Sequence, residues 1–191
     1  IAFLSTMPMN GATLNAIGDD GTSNTATYYG ETLNGYEAGA VQANGRWFVV
    51  HHQDTTKGTG GYTVGEEDRY PIKGFTLISD MGTQVNSTYK NAKFYYARNS
   101  YNVIYISGGQ TVNTVSYKYE QSLTGAGSYT PDSKPTGMDA YEFKGWYEDP
   151  DGTQEYTFDG KTMPANSITV YAKWVAPTVP GVAYITMEGT G

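Results

Sequence analysis

Every extended apolar run in this sequence is cut by glycine or proline, with 24 glycines and 8 prolines spread through 191 residues. A chain punctuated in that way cannot assemble one large doubly wound core, and it is expected to fold as small units joined by turns. The aromatic content narrows the class further, because 18 tyrosines stand against 6 phenylalanines. That excess suits half-exposed pleated sheets, where a ring packs on one side and its hydroxyl reaches water. The expected fold class is mostly β or α+β. There are no cysteines, so disulfides, thiolate metal sites and thiol nucleophiles are excluded together.

Twelve basic and nineteen acidic residues give a formal net charge of −7. A binder of phosphate backbones would have to overcome that repulsion, so nucleic acid is not an expected partner. No apolar run reaches the ~18 to 20 residues of a bilayer span, so no membrane insertion is expected in this stretch. Ile1 opens neither a signal peptide nor a natural start, and the sequence reads as a piece of something longer. The absence of cysteine is compatible with a cytosolic protein and equally with an exported bacterial one, and a composition rich in Tyr, Thr, Asn and Gly favours the second.

The first basic residue is Arg46. Before it, "IAFLSTMPM" and "TATYYGETLNGYEAGAV" can supply strands around the turn "GDDGTSN". Residues 1–45 are left as an unassigned β-rich segment or the end of a preceding module. From 46 to 99 a first module is expected. "RWFVVHHQDTT" opens it as a strand, the turns "KGTGG" and "GEEDRYP" flank "GYTV", and "KGFTLIS" and "NAKFYYAR" follow. In the last of these, Ala92, Phe94 and Tyr96 share one face while Lys93 and Tyr95 share the other.

A second module is expected over 100–175, from "YNVIYIS", "TVSYKYE", "YEFKGWYED" and "SITVYAKW". "KGFTLISD" corresponds to "FKGWYED" and "NAKFYYAR" to "SITVYAKW", an internal repeat that is weak in identity but alike in order. In 176–191, Pro177 and Pro180 stiffen a linker, and "VAYITM" begins a further unit.

The stretch "FKGWYEDPDGTQEYTFDGKTMPANSITVYAKW" resembles the Listeria–Bacteroides repeat, the B-repeat of internalin-type surface proteins. Its parts occur here in order: Phe143, Gly145, Trp146 and Tyr147; Tyr156 and Phe158; Met163 and Pro164; Tyr171 to Trp174. "YNVIYISGG" looks like that family's first strand and glycine turn, although the segment between Gly109 and Tyr141 is longer than the pattern leads one to expect. Residues 46–99 are similar to a mucin-binding-protein type of repeat through "VVHHQDTT", "YTVGE", "GFTLIS" and "KFYYAR". The resemblances imply tandem β-grasp, ubiquitin-like modules in an extracellular, wall-attached or secreted protein of a Gram-positive bacterium. They imply an adhesin or stalk whose partners are host glycoprotein or polysaccharide and neighbouring repeats. The alternative is a carbohydrate-binding module of a polysaccharide-binding or -degrading assembly.

A small module without disulfides must rely on large rings, each contributing ~1.5 to 3 kcal/mol when buried. Phe143, Trp146, Tyr156, Phe158 and Trp174 are therefore read as core. Tyr95, Tyr117, Tyr119 and Tyr171 are the candidates for a sugar-stacking platform on an exposed sheet face. His51 and His52 alternate to opposite faces of a strand and cannot share one ion. "EDPDGTQE" lacks calcium-loop spacing and reads as a turn. No G-x-S-x-G, H-E-x-x-H or phosphate-binding loop occurs, so neither enzymatic activity nor a cofactor is expected. Lys93 and Lys173 fall beside tyrosine on the expected outer face, which disfavours a cross-strand isopeptide bond. Gly145 is expected to admit a close approach of ring or backbone.

Overall fold

The computed structural model describes residues 24–56, 62–63, 70–78, 88–89 and 91–178. The stretches "IAFLSTMPM", "KGTGG" and "VAYITM", and most of "GDDGTSN" and "GEEDRYP", lie outside them. The described residues fall into two compact units, one drawn from 1–101, 116–122 and 162–166, the other from 102–115, 123–161 and 167–191. Among the described residues the strands are eleven: β1 Asn24–Glu31, β2 Val41–Ala43, β3 Arg46–Thr56, β4 Tyr62–Thr63, β5 Phe75–Leu77, β6 Thr88–Tyr89, β7 Asn91–Arg98, β8 Ser100–Ser107, β9 Gln110–Lys118, β10 Glu142–Tyr147 and β11 Ile168–Val175. No α-helix occurs among the described residues. The fold is mostly β, as the sequence predicts.

The first unit is built on a five-stranded sheet in the order β2-β3-β1-β7-β5. Its centre is β1, antiparallel to β3 and parallel to β7. The expected boundary at residue 45 therefore runs through this sheet, since β1 and β2 precede it. "RWFVVHHQDTT" is the partner of an earlier strand and not the opening one. A two-residue turn, Asn44 and Gly45 both at positive φ, joins β2 to β3, the backbone that hairpins of this length prefer.

Parallel register sets Tyr28 against Phe94 and Tyr29 against Tyr95. Because successive side chains leave opposite faces, the two pairs stack on opposite sides of the same two strands. Tyr28 and Phe94 lie 4.9 Å apart at 7°, Tyr29 and Tyr95 5.0 Å apart at 11°. One face gathers Ala26, Tyr28, Phe75, Ala92, Phe94 and Tyr96; the other gathers Ala43, Phe48 and Tyr95. Both faces of the sheet thus carry buried side chains. Each stacked pair contributes ~0.5 to 1.5 kcal/mol beyond area burial.

A bulge breaks the alternation in β3. Tyr28 pairs with His52 and Tyr29 with Val50, leaving His51 as the extra residue. As a result both histidines reach the same aromatic cluster, correcting the expectation of opposite faces. His51 lies edge-on to Phe75 at 4.9 Å, and His52 lies 5.7 Å from Tyr28 and stacks on Tyr70 at 4.7 Å.

The second unit has the order β10-β11-β8-β9. Gly108 and Gly109 turn β8 into β9, and β11 runs parallel to β8 and antiparallel to β10. Leaving β2 aside, both sheets read second strand, first strand, last strand, third strand, with the first and last parallel. This is the β-grasp order, stated twice. The correspondence of "KGFTLIS" with "FKGWYED" and of "NAKFYYAR" with "SITVYAKW" holds as β5 with β10 and β7 with β11. In the crossover from β9 to β10 stands a single 3-10 turn, Ala126–Ser128.

Candidate functional site

In the second unit two of the five motif rings expected in the core, Trp146 and Phe158, are buried, while Phe143, Tyr156 and Trp174 are half-buried at its edge. Trp146 is 3% exposed and donates its indole N–H to the carbonyl of Tyr129 at 2.8 Å. Tyr105 packs edge-on to it at 4.9 Å and donates its buried hydroxyl to the carbonyl of Ala126 at 2.8 Å. Phe158, Val103, Ile168 and Val170 are buried as well. Phe143 lies 5.2 Å from Trp146 and 5.5 Å from Trp174.

Phe143 and Trp146 meet because β10 is bulged: Phe143 pairs with Trp174, then Trp146 with Ala172. Gly145 sits inside that irregularity at φ 111°, and a Cβ placed on it would touch nothing within 4 Å. The glycine is needed for its backbone angle, not for the close approach that the sequence suggests. Simple alternation, which sets Trp146 opposite Phe143, fails at this point.

Above the ends of β8 and β11 lies a groove of ≈ 280 Å³, lined in part by Ile106, Met138, Pro150, Tyr171, Lys173 and Trp174. Its wall is ordered by local hydrogen bonds. Lys173 Nζ donates to the carbonyl of Gly152 at 3.0 Å and lies 5.0 Å from the Tyr147 ring. Trp174 Nε1 donates to Ser107 Oγ at 2.9 Å. Asp149 accepts from the backbone N–H groups of Thr153 and Gln154 and from the Thr153 hydroxyl. Those bonds, led by the one from Gln154, hold its carboxyl below the usual range. "EDPDGTQE" is a turn closed on its own aspartate, as its spacing indicates.

A second hollow of ≈ 400 Å³ is bordered by Ser128, Gly145, Glu155, Tyr156, Phe158 and Asp159. Lys161 Nζ lies 4.1 Å over the Tyr156 ring. Burial, with the charge of Glu148 adding to it, raises the Tyr156 hydroxyl above the ordinary phenol value.

Residues 101–173 match the Listeria-Bacteroides repeat domain. That span holds β9 and β10 whole and most of β8 and β11. A solved structure described as "Crystal structure of Mub-RV" is similar at 14% identity, over 79% of this chain and 97% of that one, with a TM-score of 0.27.

The four expected platform tyrosines are not brought together on one open face. Tyr95 is 2% exposed, stacked on Tyr29 and edge-on to Phe48 at 4.9 Å. Burial pushes its hydroxyl well above the usual phenol range, with the neighbouring Tyr29 adding to it. It is a core residue, because Tyr29 and Phe48 cover the second face of β7 at this position. Lys93 beside it is half-buried, and burial lowers its ammonium below the ordinary value.

Tyr119 is half-buried against Phe75, and its backbone carbonyl accepts from Arg98 at 2.7 Å. Tyr117 is half-buried on β9. Of the four, Tyr171 lines the groove described above, and that groove belongs to the repeat domain. Met138 and Pro150 share it from loops, where no periodicity marks them in advance. Among the described residues no helix is long and apolar enough to cross a membrane, and no cluster of three or more metal-ligating side chains occurs.

Proposed function

We propose that this chain is a non-catalytic repeat region of a bacterial cell-surface or secreted protein, and that its modules are spacers of an extended stalk with an adhesive role. The observation that carries this reading is the parallel pairing of first and last strands in each sheet, β1 with β7 and β8 with β11. When the chain is pulled from both sides of such a module, tension shears that pair. All of its inter-strand hydrogen bonds then resist at once, instead of opening one by one as a hairpin does. The match of residues 101–173 to the Listeria-Bacteroides repeat domain supports the same reading, as does the burial of the motif rings Trp146 and Phe158.

Single-molecule force spectroscopy of the intact chain tests it. Two separate, force-resistant unfolding events are expected, and smooth extension without a resisting peak would sink the proposal. A second reading, carbohydrate binding, is favoured by the groove beside Tyr171. It calls for retention of the chain by a polysaccharide, abolished by Tyr171→Ala.

A further inference from the structure

One aromatic pair has no part in either core. Tyr36 is 69% exposed, the most open of the large apolar side chains described. Its ring stands edge-on to Trp47, at 5.1 Å and 77°. The segment that presents it is ordered by its own bonds. Thr32, buried, donates its N–H to the Trp47 carbonyl at 2.9 Å and its hydroxyl to the Gly35 carbonyl. Ala40 N–H closes a turn on the Glu37 carbonyl at 3.0 Å, and Lys118 Nζ reaches the Leu33 carbonyl at 3.4 Å. A large ring left this exposed forgoes most of the stabilisation of burial and keeps a face open to a ligand.

The surroundings indicate what it suits. Gln42 is the cross-strand partner of Trp47 and shares its face, and Gln42, Asn34 and Glu37 are all exposed. Two rings at nearly a right angle form a corner with apolar walls; the Gln42 amide stands beside it on the Trp47 face, and Asn34 and Glu37 flank Tyr36 in the same exposed loop. A pyranose has that polarity: its C–H face packs on an aromatic ring while its hydroxyls bond to amide and carboxylate groups. An apolar peptide would need a continuous apolar trough, which these polar neighbours interrupt. An acidic sugar would meet Glu37 and a chain of net charge −7.

We propose that Tyr36 and Trp47 form a docking corner for a neutral hexopyranose unit, in the first unit of the chain and separate from the Tyr171 groove. It does not depend on the modules acting as spacers.

Affinity electrophoresis of the intact chain through gels containing mixed-linkage β-glucan, galactomannan or mannan, with polygalacturonate as the acidic comparison, tests this. At least one neutral polymer is expected to retard the chain. Tyr36→Ala should weaken that retardation about ten-fold, roughly the effect of losing one stacking contact, while Val112→Ala, at an exposed position outside both candidate sites, should leave it unchanged. The proposal is overturned if no neutral polymer retards the chain, if polygalacturonate is preferred, if Tyr36→Ala behaves as the parent, or if Val112→Ala weakens binding as much as Tyr36→Ala does. The first of these outcomes leaves the stalk reading standing, and a failure of the force measurement leaves this one standing.

Discussion

The ring of Tyr119 lies against the backbone of Gly74: a Cβ placed on that glycine would meet Cδ2, Cγ and Cε2 of the ring at 2.2, 2.4 and 2.5 Å. Gly74 also has φ 81°, which side-chain-bearing residues rarely adopt. Gly74→Ala is therefore expected to cost about 3 kcal/mol, combining ~1 to 2 for the left-handed backbone with ~1 to 3 for overpacking. Tyr119→Ala in the same chain should reduce the cost of the glycine change to about 1 kcal/mol, because only the backbone term then remains. Urea denaturation of both single variants and the double variant measures this coupling; strictly additive effects would show the contact to be unimportant.

Arg98 ties three segments to one guanidinium. Its side chain, 9% exposed, donates to the carbonyls of Glu31 at 3.2 Å and Tyr119 at 2.7 Å and to Glu120 Oε1 at 3.0 Å, and it lies 4.8 Å over the Phe75 ring. An ammonium cannot span that fork of acceptors. Arg98→Lys is expected to destabilise the chain by about 2 kcal/mol, read from the denaturant midpoint. A change within error of zero would mean that the fork contributes nothing.

Acid should weaken the first unit in two windows. Burial lowers His51 below the ordinary imidazole value of 6.5, with the Arg98 charge acting the same way against an opposing effect of Glu120. The unfolded chain binds this proton first, so the stability tied to neutral His51 is present above 6.5 and is lost as pH falls towards the folded value. Glu31 behaves alike at lower pH. Burial opposes its charge, but bonds from the Arg46 side chain and the Arg98 amide, with the Arg46 and Lys118 charges, keep it below the ordinary 4.5. Its contribution is lost as pH drops below that figure. Melting temperatures between pH 7.5 and 5.5 should fall in the parent and flatten in His51→Gln; parallel curves would contradict this account.

Within the repeat domain, two conservative changes isolate single hydrogen bonds. Tyr105→Phe deletes the buried bond to the Ala126 carbonyl and is expected to cost about 1 to 2 kcal/mol. Trp146→Phe removes the bond to Tyr129 and part of the ring, for about 2 to 3 kcal/mol. Near-UV circular dichroism should remain native-like in both while the chemical midpoint drops. Unchanged midpoints would indicate that water replaces the lost partners.

The legibility of the sequence depends on which interactions are local. The locations of β7, β10 and β11 along the chain are legible from their apolar pattern, and in β11 the alternate residues Ile168 and Val170 are buried while Ala172 and Trp174 are half-buried. The partnership of β1 with β7 is not legible, since Thr25 bonds to Asn91 across 66 positions and periodicity carries no partner information. The first module consequently begins earlier than the strongest local pattern suggests. Bulges at His51 and next to Gly145 each reverse the facing of the residues beyond them in the strand. The Asn44–Gly45 hairpin is of the kind that its dipeptide alone can signal. Tyr95 is not, because rings occupy both faces of its strand and alternation does not tell which face stays open.

The stacking of Tyr29 on Tyr95 in the first unit has an optical consequence. Since burial holds the Tyr95 hydroxyl far above the usual value of 10, alkali takes protons from the exposed phenols first and from this one only as the sheet comes apart. The ultraviolet absorbance of phenolate would then rise in two stages on titration with base, the second tracking collapse of the fold. The molecule carries in its own tyrosines a built-in dye for its unfolding.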